Sequence, residues 1–293
     1  MNSAYPGGVE FLKAHGTGND FVLLPDSEGS LRLSDSQVAA ICDRRRGLGG
    51  DGVLRVVPVA LAGEDLTDTE DAHWFMDYRN ADGSRAEMCG NGARVFARYL
   101  VDQGLHEPGA MRFATRGGVR GATVPAAGDV EVDMGPATGS QGVDITVGVL
   151  GKPRRAHEVH IPNPHAVVFV DDVRQAGPLL QAPDVAPESV FPKGVNVEFV
   201  SVEGLDHIRM RVFERGVGET LSCGTGACAA AWSYVRNRRP GGAVNQVRVD
   251  VPGGSLVVTF AADGRVLLRG PVTYVARGEL EESFLVGAVG AAT

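Results

Sequence analysis

Cys89-Gly90-Asn91-Gly92-Ala93-Arg94 and Cys223-Gly224-Thr225-Gly226-Ala227-Cys228 are near-copies of one local device, 134 residues apart. The same shift matches Met76 with Met210, Ala97 with Ala231 and Val101 with Val235, and sets Asn80 and Glu214 nine residues before the two cysteines. In each copy a strand-like approach runs into Cys-Gly-x-Gly and then into an Ala-rich apolar segment. Val95, Phe96, Tyr99 and Leu100 recur at helical spacing after the first, as do Ala227, Ala231, Tyr234 and Val235 after the second. The order predicts strand, glycine turn and helix, with each cysteine at a helix N-terminus. Free N–H groups and the positive end of the helix dipole favour an anion there, either the thiolate or a bound carboxylate. A thiol of ordinary pKa near 8.5 is expected to move toward neutrality in such a place.

At 293 residues the chain is long enough for two domains, in agreement with the repeat. Forty glycines and 6% aromatics suggest many turns and short strands, hence a β-rich fold. The net charge of −8, with no Lys/Arg run, argues against nucleic acid or an anionic membrane as partner. No apolar run is long enough to span a bilayer, and residues 1–8 lack the pattern of a secretory signal, so a cytoplasmic protein is expected. Four cysteines without a Cys-x-x-Cys pair suit neither a disulfide framework nor a zinc site. Cys42 and Cys228 read as small core residues, whereas Cys89 and Cys223 stand at matching polar helix starts.

Asn19 precedes the apolar strand Phe21-Val22-Leu23-Leu24, and Asn163-Pro164-His165 precedes Ala166 to Val170 in a similar way. Ser34-Asp35-Ser36-Gln37 predicts a capping box for a helix running to Arg46 and stopping at Gly47. The glycine-rich stretch 47–52 lacks the Lys-Ser/Thr ending of a phosphate loop. Residues 194–200 alternate as a strand with one apolar face, residues 177–193 form a proline-rich connection, and 238–245 read as a turn-rich loop. The change of domain is expected near Pro125.

Two facing thiols across a cleft suit inversion at a carbon bearing a weakly acidic C–H. A base removes the proton from one face while an acid supplies one to the other, and helix N–H groups aimed at the adjacent carboxylate stabilise the carbanion. Neither a metal nor pyridoxal phosphate is then needed, so no cofactor is expected. His165 and Glu214 are candidates to tune the thiols, though each could equally be structural, with Glu214 merely pairing to Arg215. Asn19, Asn80, Asn163, Asn196 and Arg215 exceed what one α-carbon requires. They suggest a substrate with a second polar end, whose carboxylate Arg215 could grip.

With these residues in view the chain closely resembles the diaminopimelate epimerase family. The resemblance rests on His-Gly-Thr-Gly-Asn-Asp-Phe at 15–21, Gly-Leu-Gly-Gly-Asp-Gly at 47–52, Asn-Ala-Asp-Gly at 80–83, Met-Cys-Gly-Asn-Gly-Ala-Arg at 88–94, Asn-Pro-His at 163–165 and the run from Glu214 to Cys228. It implies cofactor-independent interconversion of LL- and meso-2,6-diaminopimelate, with Cys89 and Cys223 as the two bases and His165 and Glu214 modulating them. It further implies that Gly90, Asn91, Gly224 and Thr225 hold the reacting carboxylate, while Asn19, Asn80, Asn163, Asn196, Glu214 and Arg215 bind the rest of the substrate. The implied fold is α+β, two pseudo-symmetric domains, each a curved and mostly antiparallel sheet around a central helix. One domain would comprise residues 1–124 plus 272–293 and the other 125–271. The expected partners are the small-molecule substrate and at most a second copy in a homodimer. The chain departs from the family at Gly52, where many members carry a substrate-touching glutamine. A proline racemase-like enzyme would need fewer polar groups, and a redox protein would pair Cys89 with Cys223 in a regulatory disulfide.

Overall fold

The computed structural model describes residues 8–139, 144–238 and 244–290, so most of the loop expected at 238–245 and nearly all of residues 1–8 lie outside them. The chain falls into two units, one drawn from residues 1–16, 20–130 and 272–293 and the other from 17–19 and 131–271. In chain order the first unit contributes β1 (Val9–Gly16), β2 (Asn19–Pro25), α1 (Asp35–Cys42), β3 (Gly52–Pro58), β4 (Trp74–Asn80), α2 (Gly90–Asp102), β5 (Gly109–Thr115) and β6 (Gly118–Val124). The second follows with β7 (Val130–Pro136), β8 (Ile145–Val149), β9 (Lys152–His160), β10 (Pro164–Phe169), β11 (Val185–Ala186), β12 (Asn196–Gly204), β13 (His207–Glu214), β14 (Gly218–Thr220), α3 (Gly224–Arg238), β15 (Gln246–Val251), β16 (Gly254–Phe260) and β17 (Arg265–Gly270). The chain then returns to the first unit as β18 (Thr273–Leu280), antiparallel to β1, and α4 (Glu282–Gly290).

The α+β class and the mostly antiparallel sheets are as expected, with two parallel strand pairs in each unit. In the first unit β2 runs parallel to β3, β3 antiparallel to β4, β4 parallel to β5 and β5 antiparallel to β6. The second unit repeats the alternation with β10, β12, β13, β15 and β16. Parallel neighbours need a long crossover, and each unit has two. One of them is the central helix, α2 between β4 and β5 and α3 between β13 and β15. The other is residues 26–51, which contain α1, or the proline-rich segment between β10 and β12.

Hydrophobic burial explains why both helices form where their periodicity puts them. Val95, Phe96, Tyr99 and Leu100 of α2 are all buried, as are Ala227, Ala231 and Tyr234 of α3. Each large apolar side chain so placed contributes about 1.5–3 kcal/mol. The outer face of the first sheet is covered by α1 and α4, whose Val38, Ile41, Cys42 and Leu285 join Val22, Leu24 and Val53. In the second unit Leu179 and Phe191 of the proline-rich connection pack on Val168, Val197 and Phe199. That cover changes the reading of β12. Its alternating sequence predicts one apolar and one open face, yet Asn196 through Ser201 are all buried, because the connection closes one side and α3 lies on the other. Glu198 is thereby carried into the interior.

Local signals held at the start of α1 and failed at its end. Ser34 Oγ accepts the Gln37 N–H at 3.2 Å while Gln37 Oε1 accepts the Ser34 N–H at 2.8 Å, which completes the capping box. The helix stops at Cys42 rather than Arg46, since Asp43 Oδ1 takes the N–H groups of Arg45 and Arg46 at 2.8 and 2.9 Å and folds them into a turn. No helix among the described residues is long and apolar enough to cross a membrane.

Candidate active site

Both cysteines of the repeat cap helices with their sulfurs. Cys89 is the N-cap of α2, at φ −136° and ψ 123°, and its Sγ accepts the Gly92 N–H at 3.5 Å while its carbonyl accepts that of Ala93 at 2.8 Å. At α3 the Cys223 Sγ accepts the Gly226 N–H at 3.3 Å and the Cys223 carbonyl that of Ala227 at 2.9 Å. A thiol thus sits where serine or aspartate usually satisfies the free N–H groups of a first turn. Cys223 is buried, with the Thr225 hydroxyl 3.4 Å from its sulfur, whereas Cys89 is half-buried. Both are free thiols, as are Cys42 and Cys228.

Strand register supplies the surroundings. Phe21 lies opposite Gly52, and Gly52 opposite Asn80. His165 lies opposite Asn196, and Glu214 is one residue beyond the Val197–Phe213 pair. The two neighbourhoods therefore correspond position by position, with Phe21 matching His165, Leu54 matching Glu198 and Asn80 matching Glu214. At the matched strand positions beneath Cys89 the side chains are apolar. A Cβ on Gly92 would lie 3.2 Å from Leu54 Cδ2 and 3.5 Å from Phe21 Cζ, and Phe21 meets Tyr78 edge-on at 6.0 Å. Asn80 Nδ2 donates to Ser84 Oγ at 3.0 Å.

Near Cys223 the packing is charged. His165 Nδ1 and Glu198 Oε1 are 2.6 Å apart with both side chains wholly buried, and His165 Nε2 lies 3.1 Å from Asn163 Oδ1. Glu214 accepts a hydrogen bond from Thr220. Burial raises the Glu214 carboxyl, an effect that hydrogen bonds from Thr220 and Cys223 partly offset. The Cys223 thiol is pushed well above its ordinary range, first by burial and then by the Glu214 and Glu198 carboxylates. The sequence-based expectation of a thiol moved toward neutrality is thus reversed at Cys223. Contacts from Thr225 and the Gly226 N–H act in the expected direction but are outweighed.

The remaining candidates fall close to these two centres or to their supporting strands. Gly90, Asn91 and Gly224 are buried and Thr225 half-buried in the first turns of the helices. Asn19 opens β2 directly after Thr17 and Gly18, which both have positive φ, 52° and 84°. Asn196 is buried and holds its own loop, accepting the Arg215 N–H at 2.9 Å and donating to the Pro164 carbonyl at 3.3 Å. Arg215 is exposed; its guanidinium donates to the Lys193 carbonyl at 3.3 Å and makes no ion pair with Glu214 among the described residues. Gly52 has no room for a side chain, since a Cβ would lie 2.4 Å from the Arg79 carbonyl and 2.7 Å from Tyr78 Cε2. Tyr78 therefore occupies space that a longer side chain at 52 would need.

Sequence reasoning missed Glu198. The repeat was visible at a constant shift of 134 residues, but the strands that carry Phe21, Leu54 and Gly52 match theirs at 144. The connection between β3 and β4 is longer than the tight turn between β12 and β13, so one shift cannot align both parts.

Solved structures share the architecture at low identity. A PhzF-family phenazine biosynthesis protein from Bacillus anthracis matches with a TM-score of 0.68 at 14% identity, over 93% of this chain and 99% of the other. A hydroxyproline epimerase from Agrobacterium vitis matches with 0.65 at 17%, over 93% and 90%. Such likeness establishes the fold alone, because one fold hosts several chemistries. Sequence comparison is more specific. A curated diaminopimelate epimerase of Streptomyces coelicolor is 50% identical over 285 residues, which cover 95% of this chain and 98% of that protein. One of Acidothermus cellulolyticus is 46% identical, over 93% and 96%. The profile of the family described as Diaminopimelate epimerase matches residues 11–139 and 159–275, a span that contains both cysteine-capped helix starts, and the chain belongs to that family.

Proposed function

We propose that this chain interconverts LL- and meso-2,6-diaminopimelate by moving the α-proton between two cysteines, without a cofactor, in a reducing cytoplasm. The observation that carries the reading is the pair of cysteine-capped helix starts in a chain of this family. The α-carbon that loses its proton on one face becomes a planar carbanion, which must be reprotonated on the other face for inversion, so one cysteine accepts while its partner donates. Burial and two neighbouring carboxylates favour the protonated form of Cys223, which suits it as the donor when LL-diaminopimelate reacts. Cys89 then takes the LL α-proton, and the roles exchange for the meso substrate. First-turn N–H groups at Gly90, Asn91, Gly224 and Thr225 bind the α-carboxylate and stabilise charge as it develops. Exposed Arg215, with no ion pair to Glu214, is available to grip the distal carboxylate, with Asn19, Asn80, Asn163 and Asn196 around the distal amine and carboxylate.

The test is α-hydrogen exchange in D₂O with pure LL- and pure meso-diaminopimelate. The reading requires deuterium in the product of inverted configuration from either side, with neither pyridoxal phosphate nor metal added. Turnover of proline or hydroxyproline, with diaminopimelate left untouched, would replace it with a smaller-substrate racemase.

A further inference from the structure

The two helix starts differ most in what lies beneath them, and that difference points to a residue with no assigned role. Glu198 is wholly buried on β12, its Oε1 2.6 Å from His165 Nδ1, and its Oε2 has no hydrogen-bond partner among the described residues. Its carboxylate reaches the first turn of α3. A Cβ on Gly226 would lie 2.8 Å from Glu198 Oε1 and 3.3 Å from Cys223 Sγ, so the glycine is what admits the carboxylate beside the sulfur.

Stability does not explain a glutamate there. Burying a carboxylate costs several kcal/mol, and a pair of buried ionisable groups is often no better than a well-packed apolar pair. The first unit demonstrates the apolar solution on the same strand pattern, with Phe21 and Leu54 at the equivalent positions. A carboxylate on one nitrogen of an imidazole does, however, fix the ring's tautomer and orientation.

We propose that Glu198 is a positioning residue that acts through His165: it accepts the Nδ1–H, orients the ring with Nε2 toward Asn163, and so sets the environment in which Cys223 exchanges its proton. This rests on the two-thiol reading for its role in turnover. The structural half, a proton on His165 Nδ1 held by Glu198, stands independently. At the positions matching His165 and Glu198 the first unit carries Phe21 and Leu54, neither of them ionisable.

The experiment compares Glu198→Gln and Glu198→Leu with the wild-type protein. Proton and ¹⁵N NMR of histidine-labelled wild-type protein should show a proton on His165 Nδ1 in a strong hydrogen bond, which shifts in Glu198→Gln and disappears in Glu198→Leu. Turnover of diaminopimelate should fall mainly in kcat, by roughly ten- to a hundred-fold in Glu198→Leu and less in Glu198→Gln, which still offers an acceptor oxygen. KM and the melting temperature should hold or, for Glu198→Leu, the melting temperature should rise. A merely structural glutamate would instead lower the melting temperature and leave kcat of the folded protein intact, which overturns the proposal. A wild-type His165 without a proton on Nδ1 overturns it too, whether or not the variants fold. Wild-type protein inert toward diaminopimelate, with the NMR signature present, would sink the two-thiol reading but not the His165–Glu198 link.

Discussion

The Cys89 and Cys223 neighbourhoods share a backbone plan and differ in chemistry. Each has a sulfur that caps a helix, two parallel strands and a hairpin partner, but one set of positions carries Phe21, Leu54, Asn80 and Ala81 and the other His165, Glu198, Glu214 and Arg215. A duplicated fold therefore does not require duplicated function at each half. At these matched positions the ionisable side chains all belong to the second unit.

The largest effect should come from removing either sulfur. Cys89→Ala and Cys223→Ala should each lose epimerisation by about 10²–10⁴-fold. Slow deuterium exchange should remain with the meso isomer alone in the first variant and with the LL isomer alone in the second. Inverted product accumulating from either would show that the two sites are redundant rather than complementary.

Arg215→Ala sharpens the comparison at the position where the first unit has Ala81. Loss of a charge-assisted grip on a carboxylate should cost about 2–3 kcal/mol in kcat/KM. Folding should be unaffected, since the guanidinium is exposed. Unchanged kcat/KM would assign Arg215 only to its own loop.

A paired glycine test asks whether the space beneath the helices differs as described. In Gly226→Ala the new methyl would meet Glu198 Oε1 at 2.8 Å, a group held by His165, whereas in Gly92→Ala it meets the end of Leu54 at 3.2 Å. The former should destabilise by about 1–3 kcal/mol and the latter by less, as measured by urea unfolding. Equal losses would break the contrast.

The smallest effect is a pH slope. Burial raises the Glu214 carboxyl above its ordinary 4.5, so its contribution to stability is complete below that value and is lost as pH rises through the raised one. Glu214→Gln should flatten the stability profile in the window upward from 4.5, and Asn80→Asp, by installing a carboxylate in the first unit, should not reproduce the wild-type slope. A wild-type slope surviving in Glu214→Gln would assign it to another group.

How far the sequence could be read depended on the range of the interactions. The helix starts at Cys89 and Cys223, the Ser34 capping box and the burial of Cys42 and Cys228 follow from neighbours within a few residues, and the structure bears them out. Where two local signals competed, as at Asp43, the reading erred by one turn. The motifs also carried enough identity to indicate the family.

What the sequence by itself determined, then, was the repeated turn and helix with a thiol at each start, because these depend on short-range hydrogen bonding and periodicity; the α+β class followed from the resemblance of its motifs to the family. The tertiary structure alone decided that Glu198 is interior, that it reaches His165 and the turn at Gly226, and that Cys223 is held toward its protonated form. Those facts depend on β10 lying parallel to β12 in one register and on both faces of β12 being covered. Burial converts an alternating strand's outward glutamate into a partner for a distant histidine, and no local pattern records it.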